Sequence, residues 1–425
     1  MSKESTDLIL HRIMKLHPKI IDLKLDRVQN LLKKLGNPEK KLPPIIHIAG
    51  TNGKGSTQAL IKSGLEADGK IVHAYTSPHL LRFNDRINLA GEAISEHHLN
   101  EILEECCQLN DGLPITYFEI TTVAAILAFS KVKADYCILE VGLGGRYDAT
   151  NIIDRPELCI ITPISLDHQK LLGETIEEIA FEKAGILKNK SVCFVGKQEP
   201  KALKVIKNVA NKTNSMLRVY NEDWVVKENI KKFDFKDNEG SFSLPLPALV
   251  GSHQVYNAGI AIAALRYLGV SSSSVLKNSM RNVVWPGRMQ RIVSGPLTKI
   301  TNNIEIWLDG GHNAAAGQAL AEVLKLLPPM RTILICGMLN TKDAFGYMIN
   351  FKGIVAEVIA IPVPNEVATL TAEETSNYAI KAGLKSSNAH NIEDALNRAV
   401  SDQTPSRIVI CGSLYLAGFI LRKFT

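Results

Sequence analysis

The sequence predicts an α/β protein of two domains, a larger N-terminal one built on a parallel sheet and a smaller, Rossmann-like C-terminal α/β domain. Three observations carry this. Short apolar runs alternate with stretches of helical periodicity, the pattern of a parallel sheet wrapped by helices. That alternation is interrupted by Pro286 and Gly287 within WPGRMQRI (285–292) and then resumes as a second series. A chain of 425 residues is also long enough to bury more than one sizeable core. The boundary is therefore set near Trp285, with residues 1–284 and 285–425 as the two domains.

In the first domain the strand-like runs are IIHIA (45–49), KIVHAY (70–75), DYCIL (135–139), LCIIT (158–162) and SVCFV (191–195). Helices fall between them. TQALIKSGLEADG ends on Gly69 as a helix C-cap would, and FEITTVAAILAFSKV spaces Phe118, Ala125 and Phe129 at helical intervals. Asp223 to Pro247 reads as a polar hairpin insertion, and SHQVYNAGIAIAALRYLG after it as a strong helix. The second series is EIWLD (305–309), TILICG (332–337), EVIAI (357–361) and RIVICG (407–412), which implies a small sheet of four to five strands. No internal repeat or low-complexity tract interrupts either series.

Composition narrows the functional class. Hydrophobic residues at 45% and charged residues at 22% are ordinary for a globular protein. The net charge of +6 is mild, and its basic residues are dispersed, which argues against a nucleic-acid partner but suits small anionic ligands. Seven cysteines at 106, 107, 137, 159, 193, 336 and 411 show no C-x-x-C spacing and read as reduced core thiols. Charge interrupts the N-terminal stretch every few residues, and no segment reaches the roughly 18 apolar residues of a membrane span. The expectation is a cytoplasmic protein with no membrane partner, acting as a monomer.

HIAGTNGKGST (47–57) is the chemically informative stretch. The usual phosphate loop, G-x-x-x-x-G-K-[ST], has four residues between its glycines. Here only two residues lie between Gly50 and Gly53, and Gly55 separates Lys54 from Ser56. With IIHIA as a strand, Gly50 to Gly55 as a turn and Ser56 opening a helix, backbone N–H groups and a helix N-terminus converge on one point. Lys54 adds positive charge there, and Ser56 or Thr57 a hydroxyl for magnesium. A plain βα turn would need the glycines but neither the lysine nor the hydroxyls.

GTNGKGS, with TSPHLLRFNDRI (76–87), TYFE (116–119), LEVGLGGRYDATN (139–151), SLDH (165–168), EKAGI (182–186), WPGRMQ (285–290) and LDGGHN (308–313), resembles the folylpolyglutamate synthase and dihydrofolate synthase family. That family is a branch of the Mur ligase superfamily, ATP-dependent enzymes that join an amino acid to a carboxylate, and the shortened loop is normal there. The resemblance runs in order from about residue 20 to the C-terminus. It makes the larger domain a phosphate-loop nucleotide-binding domain. It implies ATP and Mg2+ as cofactors, with L-glutamate and either dihydropteroate or reduced folates as substrates.

The chemistry sets the tasks. Carboxylate is a poor electrophile, so it must first become an acyl phosphate; the protein must hold a triphosphate, neutralise its charge with metal and bring two anionic reactants together. Thr51, Asn52, Gly53, Lys54, Gly55, Ser56 and Thr57 would hold the ATP phosphates. Glu140 directly follows DYCIL, at the carboxyl edge of the sheet where ligands bind in open α/β folds. Ser77 and His168 also follow strands and could reach the same crevice, and by resemblance these residues, with Ser56, hold the metals. A helix cap for Ser77 and a satisfied polar histidine for His168 are the plainer readings.

Other roles come from the resemblance alone. Lys183 matches a lysine that carbon dioxide carboxylates into a metal ligand. Its neighbours Ile179, Ala180, Ile186 and Leu187 offer no local ion pair and, if the helix continues past Gly185, would bury its face in part. The reaction needs the neutral amine, rare at a pKa near ~10.4 unless burial or nearby cations depress it; a solvated helix lysine is the alternative. Asn257 matches the adenine contact, Asp309 and His312 the ribose and phosphate contacts, and Arg288 the γ-phosphate contact, its alternative being an interface salt bridge. Thr116, Phe118, Asp148 and Ala149 would line the pterin pocket, with Phe118 stacking on the ring unless it is simply a core aromatic. Lys54, Glu140, His168, Lys183 and Arg288 form the expected catalytic set.

TYFE and GRYDATN resemble the bacterial form that serves both dihydropteroate and reduced folates, though a single-function folylpolyglutamate synthase also fits. A cell-wall ligase of the Mur type would carry an N-terminal domain of about a hundred residues, whereas some 44 residues precede the first strand here. A non-catalytic nucleotide-binding regulator would need neither Lys183, His312 nor a second α/β domain.

Overall fold

The computed structural model describes residues 6–16, 24–301, 304–401 and 404–424; part of the N-terminal stretch read above for a leader, and the start of the resemblance near residue 20, lie outside them. The chain forms two compact units. The first comprises Met1–Ile164, Leu172–Leu246 and Tyr256–Val283, and the second Ser165–Leu171, Pro247–Val255 and Val284–Thr425. Among the described residues no helix is long and apolar enough to cross a membrane.

The first unit is built on eight strands: β1 (Ile45–Ala49), β2 (Val72–Tyr75), β3 (Ile87–Leu89), β4 (Glu92–Ala93), β5 (Tyr136–Glu140), β6 (Leu158–Ile161), β7 (Val192–Val195) and β8 (Met216–Val219). Their order is β4-β3-β2-β5-β1-β6-β7-β8. From β2 to β8 the pairing is parallel, and β3 and β4 add an antiparallel edge. All five residues of β1 are buried, as a central strand covered on both faces requires. Ile48 stands opposite Glu140 and Ala49 opposite Ile161, so the carboxyl ends of β5, β1 and β6 finish at one edge.

On one face lies helix Tyr117–Lys131, whose residues 119–129 are all buried between the sheet and helices Asp26–Lys34 and Glu96–Asn110. A helix apolar on every side belongs in such a position. Helices Ile176–Ala184 and Pro200–Thr213 cover the other face through Ile179, Ala202 and Ile206.

The expected hairpin is a three-stranded antiparallel meander, β9 (Trp224–Glu228), β10 (Lys232–Asp237) and β11 (Gly240–Pro245). KFDFKD alternates, burying Phe233 and Phe235, and a two-stranded ribbon with one apolar face is marginal by itself. Trp224 on β9 and Leu244 on β11 are buried with them, and Asp237 forms a half-buried ion pair with Arg266 at 2.6 Å.

The second unit has six strands, β12 (Gln290–Ile292), β13 (Glu305–Leu308), β14 (Arg331–Cys336), β15 (Glu357–Ala360), β16 (Ser386–Asn388) and β17 (Ser406–Cys411), in the order β12-β13-β17-β14-β15-β16. All pair in parallel except β12. The sheet exceeds the expected four to five strands by its edges, three residues each and polar in β16, which carry no hydrophobic signature.

Candidate active site

The turn after β1 is held by its neighbours. Gly50 sits at φ +144°, and a Cβ there would collide with the Thr162 side chain. The amides of Thr51 and Asn52 both donate to the Pro163 carbonyl, at 3.0 and 3.2 Å. Gly53, at φ +87°, caps the following helix, which starts at Lys54 rather than at Ser56 because the left-handed glycine takes the cap position. A Cβ on Gly53 would meet Asn257 Oδ1 at 2.5 Å, so Asn257 lies against the turn. First-turn amides lack intrahelical partners, and the dipole makes that end of the helix positive.

Two ammonium groups converge on this turn. Lys54 Nζ donates to the carbonyls of Gly50 (3.2 Å) and Thr51 (3.3 Å). Lys183 Nζ donates to the same Gly50 carbonyl at 2.9 Å. The helix carrying Lys183 ends at Ala184, before the extension considered above, yet Lys183 is only 5% exposed. Glu140 is the last residue of β5, buried, and accepts from the Thr76 hydroxyl. Next to Thr76, Ser77 Oγ is buried and, among the described residues, without a hydrogen-bond partner, and so is Thr57 Oγ1. Orphaned buried hydroxyls are costly and point to a missing partner.

A carboxylate and hydroxyls at one sheet edge form an all-oxygen set that suits magnesium, which takes one or two carboxylates and completes its shell with water and phosphate. Among the described residues no three His, Cys, Asp or Glu side chains gather into a metal cluster. Magnesium needs no such cluster.

The four residues expected at the pterin lie around or near Gly142. A Cβ on Gly142 would strike the Phe118 ring, and the Gly142 amide donates to Asp148 Oδ2 at 3.1 Å. Thr116 caps helix Tyr117–Lys131, and Ala149 is buried in the core against which Phe118 packs. Asp148 has its acceptor positions filled from within: Leu143 N–H reaches Oδ2 at 2.8 Å, while Thr150 N–H and Oγ1–H reach Oδ1 at 3.0 and 2.6 Å. Burial raises its pKa, against these hydrogen bonds. Asp148 thus organises the loop after β5. Thr150 Oγ1, having donated its proton, accepts from His47 Nε2 at 2.9 Å. Burial, with Lys188 nearby, drives His47 down to about 3, so the ring is neutral.

His168 lies in the second unit, at φ +53°, with its Nε2 3.3 Å from Lys342 Nζ. Beside it Asp167 accepts from Lys342 Nζ (2.7 Å) and Asn313 Nδ2 (3.0 Å). Burial alone would raise Asp167, but Lys342, His168 and His312 outweigh it and hold the carboxyl well below its usual range. His312 is lowered to about 4 by burial and then by Lys342; Nδ1 donates to the Gly310 carbonyl at 3.0 Å. Asp309 accepts from Met289 N–H and Gly311 N–H at 2.9 and 2.8 Å, and Arg288 Nη1 lies 2.8 Å from where a Gly310 Cβ would stand. Asp167 and Lys342, which sequence reasoning passed over, are 175 residues apart, and neither belongs to a periodic pattern.

The sheet edge, with its positive turn, buried carboxylate and open hydroxyls, defines a nucleotide-binding enzyme of the phosphate-loop class. A Mur ligase middle domain model matches residues 48–265, and a dihydrofolate synthetase C-terminal domain model matches residues 297–423. The chain belongs to the Mur ligase family, in its dihydrofolate synthase/folylpolyglutamate synthase branch. The dihydrofolate synthase/folylpolyglutamate synthase of Escherichia coli (strain K12) is 32% identical over 409 residues, 96% of this chain and 92% of that protein. That of Bacillus subtilis (strain 168) is 37% identical over 319 residues, 71% and 72% of the two chains. Among solved structures, E. coli FolC in complex with DHPP and ADP has a TM-score of 0.89 at 32% identity, covering 98% of this chain and 97% of that one. A bifunctional folylpolyglutamate synthase/dihydrofolate synthase with Mn, AMPPNP and L-glutamate bound has a TM-score of 0.87 at 29% identity, covering 98% and 97%.

Proposed function

We propose that this chain is an ATP-dependent ligase that adds L-glutamate to dihydropteroate and to the γ-carboxylate of reduced folates through an acyl phosphate. The observation that carries the reading is the Gly50 carbonyl holding both Lys54 and Lys183 at the sheet edge where the buried carboxylate of Glu140 ends β5. The acceptor carboxylate attacks the γ-phosphorus of ATP and ADP leaves. The glutamate amine then attacks the acyl carbon, phosphate departs with the bonding pair, and the amine gives up a proton as the amide forms.

Lys54 and the amides from Gly53 to Ser56, in the turn that Thr51 and Asn52 fix and with the Ser56 and Thr57 hydroxyls beside them, are proposed to hold the transferred phosphate, aimed where charge develops. Magnesium, when bound, neutralises the phosphate oxygens; Ser56, Ser77, Glu140 and His168 are its proposed ligands, with Lys183 in carboxylated form. Asn257 is proposed for adenine, and Arg288, Asp309 and His312 for γ-phosphate and ribose. Thr116, Phe118 and Ala149 line the pterin pocket, with Asp148 shaping the loop beside it.

A steady-state assay with ATP, magnesium and glutamate, offering dihydropteroate and tetrahydrofolate in parallel, tests this. Amide product from both acceptors is expected. Product from one alone makes the enzyme single-function, and ADP release with no amide from either sinks the ligase reading. We further propose a cytoplasmic monomer; the buried thiols of Cys106, Cys137, Cys159, Cys193, Cys336 and Cys411 favour the compartment. Sedimentation equilibrium at micromolar concentration should return the 46.7 kDa of one chain.

A further inference from the structure

The wall proposed for the pteridine starts at the cap of helix Tyr117–Lys131, and that cap differs from others of its kind in the chain. Thr116 Oγ1 accepts from the Glu119 amide at 3.1 Å, and the Glu119 carboxylate accepts from the Thr116 amide at 2.8 Å, a reciprocal capping box. Thr175 with Glu178 and Thr371 with Glu374 form the same box. Both of those glutamates are exposed and, among the described residues, neither pairs with a cation. Glu119 is 6% exposed. Arg27, 92 residues earlier, grips it with two prongs, Nε to Oε2 at 2.9 Å and Nη2 to Oε1 at 2.8 Å.

Stability alone is a poor account of this pair. The box closes the helix without a cation, as its two exposed counterparts do. Arg27 stands in the first turn of helix Asp26–Lys34, where the dipole is positive and disfavours a cation. The pair is largely withdrawn from water, with 20% of the Arg27 and 8% of the Glu119 side chain exposed, and that desolvation offsets much of its attraction, so its two-pronged geometry restrains more than it stabilises. The geometry it restrains is that of the acceptor wall. Thr116 Oγ1 uses a lone pair on the Glu119 amide and keeps its own proton to donate, and two residues on, the Phe118 ring packs against Gly142.

We infer that Arg27 is a positioning residue for the acceptor pocket, setting through Glu119 the direction of the Thr116 hydroxyl and the Phe118 ring. The inference rests on the pteridine reading of those two residues. Its test compares Arg27→Met, Arg27→Lys, Glu119→Gln and the Arg27→Met/Glu119→Gln pair with the wild type. The readouts are Kd for dihydropteroate by its own fluorescence, and KM for dihydropteroate, ATP and glutamate. Arg27→Met should raise Kd and KM for dihydropteroate about tenfold with the other KM values within about twofold, and the double variant should be no worse, because the two residues act as one unit. Arg27→Lys should fall between, about threefold, since an ammonium keeps the charge without the fork. An unchanged Kd alongside a lower melting temperature would make Arg27 merely structural and overturn the inference. If Arg27→Met does not fold, an unchanged Kd in Arg27→Lys and Glu119→Gln overturns it equally. A wild type that neither binds nor uses dihydropteroate defeats the substrate reading as well, whereas binding that every variant retains defeats this inference alone.

Discussion

In the proposed reading Lys54 exchanges the weak Gly50 carbonyl acceptor for a phosphate oxygen. Lys54→Ala should therefore lower kcat on the order of 10²-fold or more, because the contact strengthens as charge moves in the transition state; turnover near wild type would end the phosphate-loop assignment. Lys183→Ala should lose activity and regain part of it with a small carboxylic acid in the buffer if the residue acts as a carboxylated metal ligand. A structural lysine would show little loss and no response. His47 gives a pH-linked expectation. Its folded pKa, about 3, lies below the unfolded 6.5, so between those values the unfolded chain binds a proton that the folded one does not. Its contribution is fully present above pH 6.5 and declines as pH falls, by about 1.4 kcal/mol per unit. His47→Gln should flatten the change in urea midpoint between pH 7 and 5 by about one proton's worth; an unaltered slope would refute the buried neutral ring. At this scale, what could be read from sequence was position relative to strand ends, which places Glu140 and Ser77 at the sheet edge. Arg27, His47, Asp167 and Lys342 were not legible, since each takes its meaning from a partner far along the chain.

Among elements, the β1 turn is the most constrained. Gly50→Ala combines a left-handed φ with a collision against Thr162, so a stability loss of about 1–3 kcal/mol is expected together with lost ATP turnover. A variant as stable and active as wild type would contradict the turn geometry. The long buried strands announced themselves as apolar runs: IIHIA is β1 residue for residue, and most others differ only by a residue or two at their ends. β3, β4, β8, β12 and β16 did not, being strands of two to four residues at or next to a sheet edge, whose pairing is decided by the neighbour and not by their own composition. The meander was half legible, since the alternation of β10 shows in the sequence but the third strand is fixed by packing Trp224 and Leu244 around it.

For the whole molecule, ligand linkage is the accessible measurement. A non-hydrolysable ATP analogue with magnesium at 100 times its Kd should stabilise the fold by about 2.7 kcal/mol, and EDTA should remove most of the rise in melting temperature. A rise unaffected by EDTA would mean that the buried hydroxyls of Ser77 and Thr57 serve no metal. The strand order of the second unit carries a further consequence. β17 lies between β13 and β14 although it follows every other strand of that sheet in sequence. During synthesis the ribosome therefore delivers the middle of this sheet after both flanks, and until then β13 and β14 expose facing edges. A nonsense codon just before Ser406 would remove little of the chain's mass but leave the sheet split down its centre.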